Sequence, residues 1–233
     1  MAYKRVLLKI SGEALSHNGE AIAPEKVNHV VDQVVALHKK GLQIAIVVGG
    51  GNFWRGRQGR NIDRVTADHM GMLATVMNAL ALQDAIEQKG VDTRVQTAMP
   101  VPSVAEPFIL RKALRHFEQK RILIFACGTG NPYFSTDSGA ALRAAEIKAD
   151  ILLMAKNVDG LYDSDPRTNP KAKKLESATY MDVINKKLAL MDFTAITMCL
   201  ENNIPILAFG LNDGNALYRA GTGEKVGTLI KNS

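Results

Sequence analysis

The chain has 233 residues, 46% of them hydrophobic and 22% charged, with a formal net charge of +6; a globular chain of this size buries about 70% of its unfolded surface and needs no staples. No apolar run approaches the roughly 20 residues that cross a bilayer, and the opening MAYKRVLLKISGEAL breaks its short apolar run at Lys9, so neither a membrane span nor a signal peptide is expected and the chain reads as cytoplasmic. Cys127 and Cys199 lie far apart with no CxxC or Cys/His cluster, which argues against a disulfide framework and a structural zinc site; basic residues are scattered among acidic ones, so nucleic acid is not an expected partner, whereas a small polyphosphate suits the charge.

Short β-branched or leucine-rich runs alternate with stretches of helical spacing. In chain order they predict a strand at Val6 to Ile10, a helix at Pro24 to Lys40, a strand at Ile44 to Val48 and a helix at Val65 to Lys89. A strand at Thr93 to Gln96, a helix at Ser103 to Glu118, a strand at Ile122 to Ala126 and a helix at Asp137 to Lys148 follow. The second half holds a strand at Ile151 to Met154, an irregular segment from Asn157 to Thr179, a helix at Met181 to Asn202 and a strand at Ile206 to Phe209. The alternation predicts an α/β sandwich with a mainly parallel central sheet, whose ligands bind beyond the carboxyl ends of the strands. The irregular segment, rich in Asp, Pro, Asn and Lys, reads as a long surface loop or β-hairpin, with a soft boundary between two halves just before it.

The residues that carry chemistry follow three of those strands. The first strand ends in LLKISGE, with Lys9 on the strand and Ser11 and Gly12 on the turn, where a cation and an unencumbered backbone can meet a phosphate; an edge lysine reaching water is the plain alternative. The second runs into VVGGGNFWRG, placing Gly49, Gly50 and Gly51 before Asn52 and Arg55. This is neither a Walker A loop nor a dinucleotide G-x-G-x-x-G loop, because Trp54 stands where the third glycine of the latter would fall. The third strand leads into CGTGNPYFSTDSGAALRAAE, where Gly128, Gly130 and the hydroxyls of Thr129, Ser135 and Thr136 supply donors without bulk, and Ser135 or Thr136 would cap the next helix. Asp137 at that helix start either positions phosphate and metal or favours the helix dipole. Three such loops with one lysine and one arginine fit phosphoryl transfer, which needs positioning and cationic stabilisation rather than a covalent nucleophile. G-x-S-x-G and HExxH are both absent, so neither a serine hydrolase nor a zinc protease is proposed.

The segments LLKISGEAL, VVGGGNFWRG, DHMGMLATVMNAL, GTGNPYFSTD, VDGLYDSDP and EKVGTLI together resemble the bacterial UMP kinases of the amino acid kinase family over nearly the whole chain. The resemblance implies a three-layer sandwich forming a single domain over 1–233, with an acceptor-side half at 1–155 and an ATP-side half at 156–233. It implies transfer of the ATP γ-phosphate to UMP, giving UDP and ADP, with Mg2+ arriving with ATP. Lys9, Arg55 and Asp137 would be catalytic. Lys9, Ile10, Ser11, Gly12, Gly51, Arg55, Lys156, Asn157, Tyr162 and Asp165 would bind ATP. Gly50, Asp68, Thr129, Gly130, Asn131, Pro132, Tyr133, Phe134, Ser135 and Thr136 would bind UMP. Members of the family form homohexamers, for which the apolar stretch HMGMLATVMNALALQDAI offers a dimer face or simply a core stripe, and they respond to GTP and UTP; Arg94 and Arg121 resemble positions near that effector site.

The chain departs from the family pattern in three places. GRQGRNID, between Arg55 and Arg64, is shorter than usual; AKNVDG differs from both TKVDG and KNGVDG; and Gly210 stands where asparagine is usual.

Overall fold

The computed structural model describes residues 2–55, 61–164, 166, 168–188, 190–211 and 213–232. Strand β1 (Arg5–Ile10) lies near the middle of a nine-stranded sheet with β2 (Gln43–Val48), β3 (Thr93–Thr97), β4 (Glu106–Pro107), β5 (Ile122–Ala126), β6 (Ile151–Lys156), β7 (Ser177–Thr179), β8 (Ile206–Gly210) and β9 (Thr228–Lys231). The order is β4-β3-β5-β2-β1-β6-β8-β9-β7. All pairings are parallel except β8 with β9, so β9 and its parallel neighbour β7 run against the rest.

Both faces of the sheet are buried, which explains why its central strands read as continuous apolar runs rather than as alternation. Along β1, Val6, Leu8 and Ile10 enter one core and Leu7 the other. The first core is covered by α1 (Pro24–Lys39), α2 (Arg64–Glu87) and α7 (Ala216–Thr222). The second is covered by α3 (Leu110–Glu118), α4 (Thr136–Glu146), α5 (Tyr180–Asn185) and α6 (Phe193–Glu201). The sandwich therefore has the three layers expected, with a mainly parallel sheet. Cys127 and Cys199 are both buried, and burial pushes the Cys199 thiol up to about 12. Among the described residues no helix is long and apolar enough to cross a membrane.

Two helix expectations are corrected. The helix placed over Ser103 to Glu118 begins only at Leu110, because Glu106 and Pro107 form β4 on the sheet edge. Pro107 has no N–H for a helical bond, and an edge tolerates it. The helix placed over Met181 to Asn202 divides into α5 and α6, each with its own start signal. Thr179 and Asp182 form a capping box on α5, Lys187 then turns left-handed with φ 48°, and Asp192 caps α6. Strands β7 and β9 and helix α7 went unforeseen; they have three, four and seven residues, too few to establish a period. The irregular segment does form a hairpin: Tyr162 bridges Lys174 antiparallel, and the Leu175 amide donates to the Leu161 carbonyl at 2.8 Å. Asp165 lies outside the described residues, as do residues 56–60 of the short GRQGRNID segment.

Candidate active site

The loops after β1 and β2 meet at their glycines. After Ser11 the chain enters a single 3-10 turn, Gly12–Leu15, rather than a long helix. A Cβ on Gly12 would stand 2.6 Å from the Gly49 carbonyl, and one on Gly49 would stand 3.3 Å from the Gly12 amide and 3.6 Å from Thr136 Oγ1. The two turns and the start of α4 thus converge, with no room for a side chain at Gly12 and little at Gly49. Gly50 presses instead on α2, where a Cβ would approach the Gly71 carbonyl to 2.7 Å and Ala74 Cβ to 2.8 Å. Asn78, fully buried on α2, donates to the Gly49 carbonyl at 2.7 Å and pairs with Asn52, which fixes the triple-glycine loop to that helix. Arg55 at the end of the loop is half exposed and ion-paired with Glu13.

The third loop leaves β5 through two left-handed residues, Cys127 (φ 64°) and Gly128 (φ 54°). The Cys127 amide donates to Thr75 Oγ1 at 2.7 Å, so α2 holds this loop as well. A non-glycine residue in that conformation persists only where its surroundings impose it. Tyr133 is also left-handed, at φ 71°, and its amide donates to Asp68 Oδ2 at 2.8 Å. Arg64 Nε donates to the same oxygen at 2.8 Å, and its guanidinium lies 5.4 Å from the Tyr133 ring centre. Burial pushes the Asp68 carboxyl up, but the Tyr133 amide and the Arg64 guanidinium outweigh it, and the group sits below the usual carboxylate range. Asp68 is therefore a fixed, charged acceptor.

Ser135 caps α4 by accepting from the Asp137 amide at 3.0 Å and the Ser138 amide at 3.1 Å. The hydroxyl gives its own proton to Asp192 Oδ2. It is thus the helix cap for which the sequence offered Ser135 or Thr136, and is fully engaged within the protein.

Asp137, two residues on, meets Lys9, whose Nζ lies 2.8 Å from Asp137 Oδ1 with both side chains largely shielded. Lys9 shares a sheet face with Met154, its neighbour across β1 and β6, and Lys156 follows two residues later on that face. Lys156 Nζ donates to the Leu190 carbonyl, and desolvation lowers its pKa; Asp137 opposes that shift and Lys9 reinforces it. Asp137 Oδ1 is buried and its close partner is the Lys9 ammonium, so the cluster brings cationic nitrogen and one carboxylate together in a shielded place. No group of three or more potential metal ligands occurs among the described residues.

A cleft of about 240 Å³ reaches Thr136, the residue before Asp137. Of the expected residues, Gly50, Gly51, Asp68, Thr129, Asn131, Phe134, Ser135 and Thr136 line it. Gly130 packs on Ala98 instead, and Tyr133 contributes its amide to Asp68. Trp54, Gly71, Met72 and Thr75 also line the cleft. The amino acid kinase family model matches residues 4–209. The chain belongs to the amino acid kinase family. Solved structures similar to this family member include UMP kinase from Bacillus anthracis, 36% identical with a TM-score of 0.96, covering 99% of this chain and 97% of that one. UMP kinase from Ureaplasma parvum is 39% identical with a TM-score of 0.94, covering 99% and 100%. Uridylate kinase from Archaeoglobus fulgidus is 26% identical with a TM-score of 0.74, covering 97% and 99%.

In this family member Tyr162 is half-buried on the hairpin and donates to Asp159 Oδ1 at 2.7 Å, and Asp159 is also paired with Lys174 at 2.9 Å. Arg94 and Arg121 stand away from the cleft around β3 and β5. Arg94 lies 3.6 Å from Glu87 and donates to the Thr93 carbonyl, while Arg121 bonds Gln119 and the His116 ring. Sequence reasoning missed Asn78, Thr75 and Asp192. The first two sit inside an apolar helical run, and the third read as helix interior; a lone Asn, Thr or Asp carries no spacing signal.

Proposed function

We propose that this chain is a UMP kinase, moving the γ-phosphate of ATP onto UMP to give UDP and ADP. The observation that carries the reading is the Lys9–Asp137 ion pair at the start of α4, next in the chain to Thr136 of the cleft bounded by Asp68 and the loop from Thr129 to Thr136. Full-length likeness to two bacterial UMP kinases supports UMP as the acceptor.

In this mechanism the acceptor phosphate is held by the third loop and attacks the γ-phosphorus in line. Charge accumulates on the transferred oxygens, and Lys9, with Lys156 behind it, stabilises that charge in a site shielded from water. Ser11, Gly12 and Gly51 bring backbone close to the ATP phosphates, and Arg55 would exchange Glu13 for phosphate. Asp68 receives a ribose hydroxyl on its free oxygen, since Oδ2 is already held by Tyr133 and Arg64. Asn157, Tyr162 and Asp165 hold the adenosine end. Asp137, whose Oδ1 is ion-paired with Lys9, would hold Mg2+ arriving with ATP, and the ion would neutralise phosphate charge there. Met70, Leu73 and Met77, exposed at one-helical-turn spacing on α2, support subunit pairing within a homohexamer. GTP and UTP as effectors near Arg94 and Arg121, and a cytoplasmic location, complete the proposal.

ADP release measured with UMP, CMP, carbamate and acetylglutamate tests it. Turnover with UMP far above the others is expected; equal turnover with an acid substrate would overturn it.

A further inference from the structure

We propose that Asp192 is a positioning residue for phosphoryl transfer, acting through the Ser135 hydroxyl; this rests on the UMP kinase reading. A serine hydroxyl has one proton and two acceptor sites. Ser135 commits both acceptor sites to the first amides of α4, at 3.0 and 3.1 Å, and its proton to Asp192. Its orientation therefore depends on the carboxylate across the gap. Asp192 also accepts from Ser138 Oγ at 3.1 Å and from the Ala195 amide at 2.9 Å, so one side chain ties the starts of α4 and α6 together.

What lies on that helix start decides the consequence. Thr136, the next residue, lines the cleft, and Asp137, the one after, is the partner of Lys9. Two residues before Asp192 the Leu190 carbonyl accepts from Lys156. The short stretch Leu190–Asp192 thus fixes both the carboxylate and the second lysine of the cluster from behind. Asp192 does not line the cleft. Its effect reaches substrate through the first turn of α4, chiefly by holding Ser135, and with it the loop that grips the acceptor.

Asp192→Asn isolates this role. The new amide nitrogen faces either the Ser135 hydroxyl or the Ala195 amide, so one donor meets another in either orientation while shape is kept. Steady-state ADP release is measured for the wild type, Asp192→Asn, Ser135→Ala and the double variant, with thermal unfolding alongside. Each single variant is expected to lower kcat/KM for UMP by about tenfold, the scale of one lost hydrogen bond to a charged group. KM for ATP should stay within about twofold, and the double variant should be no worse than the poorer single one. Wild-type kinetics in Ser135→Ala, effects that multiply in the double variant, or equal losses for ATP and UMP with a lowered Tm would overturn the proposal. An active wild type keeps these outcomes separate from the reading beneath them, because failure of the wild type on UMP sinks the UMP kinase assignment itself.

Discussion

Asn52 and Asn78 exchange amide hydrogen bonds in both directions, Asn52 Nδ2 to Asn78 Oδ1 at 2.9 Å and Asn78 Nδ2 to Asn52 Oδ1 at 2.8 Å. Their remaining protons go to the Ala21 carbonyl at 2.6 Å and the Gly49 carbonyl at 2.7 Å. The pair therefore joins three segments: the loop after the 3-10 turn, the triple-glycine loop and α2. Asn78→Leu keeps most of the volume but leaves the Gly49 carbonyl and Asn52 Oδ1 without partners, while Asn52 Nδ2 keeps only the Ala21 carbonyl. We expect a loss of about 2–3 kcal/mol in urea unfolding and a Tm lowered by roughly 5–10 °C. A variant as stable as the wild type would show that water replaces these bonds.

Lys9 is the cation nearest Asp137 on the α4 face of β1. Lys9→Ala is expected to lower kcat by at least about 10²-fold, because a preorganised charge in a shielded site acts mainly on the transition state. KM for UMP should change far less, since the acceptor loop is held by Thr75, Asp68 and Asp192. Steady-state kinetics with both substrates separates the two quantities; a rise in KM with kcat intact would move Lys9 to a binding role.

Strands with several consecutive apolar residues, such as Ile122–Ala126, could be read directly, because burial on both faces leaves no polar interruption. The three glycine loops were legible for a related reason: Gly12 and Gly50 stand where any Cβ would strike backbone or a helix. What the glycines could not reveal is which neighbour excludes the side chain. Gly50 looked like ligand approach and proves to be tight packing on Gly71 and Ala74 as well as cleft lining. The residues that lock the loops, Asn78, Thr75 and Asp192, act over separations of 26 to 57 residues, and no local pattern marks such partners. The split between α5 and α6 was hidden by an apolar run whose internal stop, Lys187, has no distinctive chemistry.

Adjacent glycines should respond differently to alanine. In Gly50→Ala the new methyl meets the Gly71 carbonyl at 2.7 Å and Ala74 Cβ at 2.8 Å, and helix backbone cannot rotate away. A loss of about 1–3 kcal/mol is expected. In Gly51→Ala the nearest atom is Glu13 Oε1 at 3.4 Å, the tip of a flexible side chain. Stability should stay within about 1 kcal/mol, the scale of a tolerated Gly-to-Ala change, while kcat/KM for ATP falls if backbone at this position approaches phosphate. Thermal unfolding and kinetics on the two variants test the contrast, and equal destabilisation would contradict the packing difference.

Lys156 gives the site an alkaline limit. Desolvation holds its pKa below the ordinary 10.5, with Asp137 opposing that shift and Lys9 adding to it. The unfolded chain therefore keeps this proton to higher pH than the folded one. Below the folded pKa both states are charged and the full cost of shielding the ammonium is present; as pH climbs from that value towards 10.5 the cost disappears, and stability rises by at most about 1.4 kcal/mol per pH unit. Over the same window a neutral Lys156 no longer supports the charge on the transferred phosphoryl group, so kcat should fall while the fold gains stability. Lys156→Met should remove this contribution from the unfolding profile and flatten the corresponding limb of kcat, at a lower plateau. Urea unfolding and steady-state rates across the neutral-to-alkaline range, compared between the two proteins, measure both. If the two profiles run parallel, Lys156 carries no titrating charge at the site.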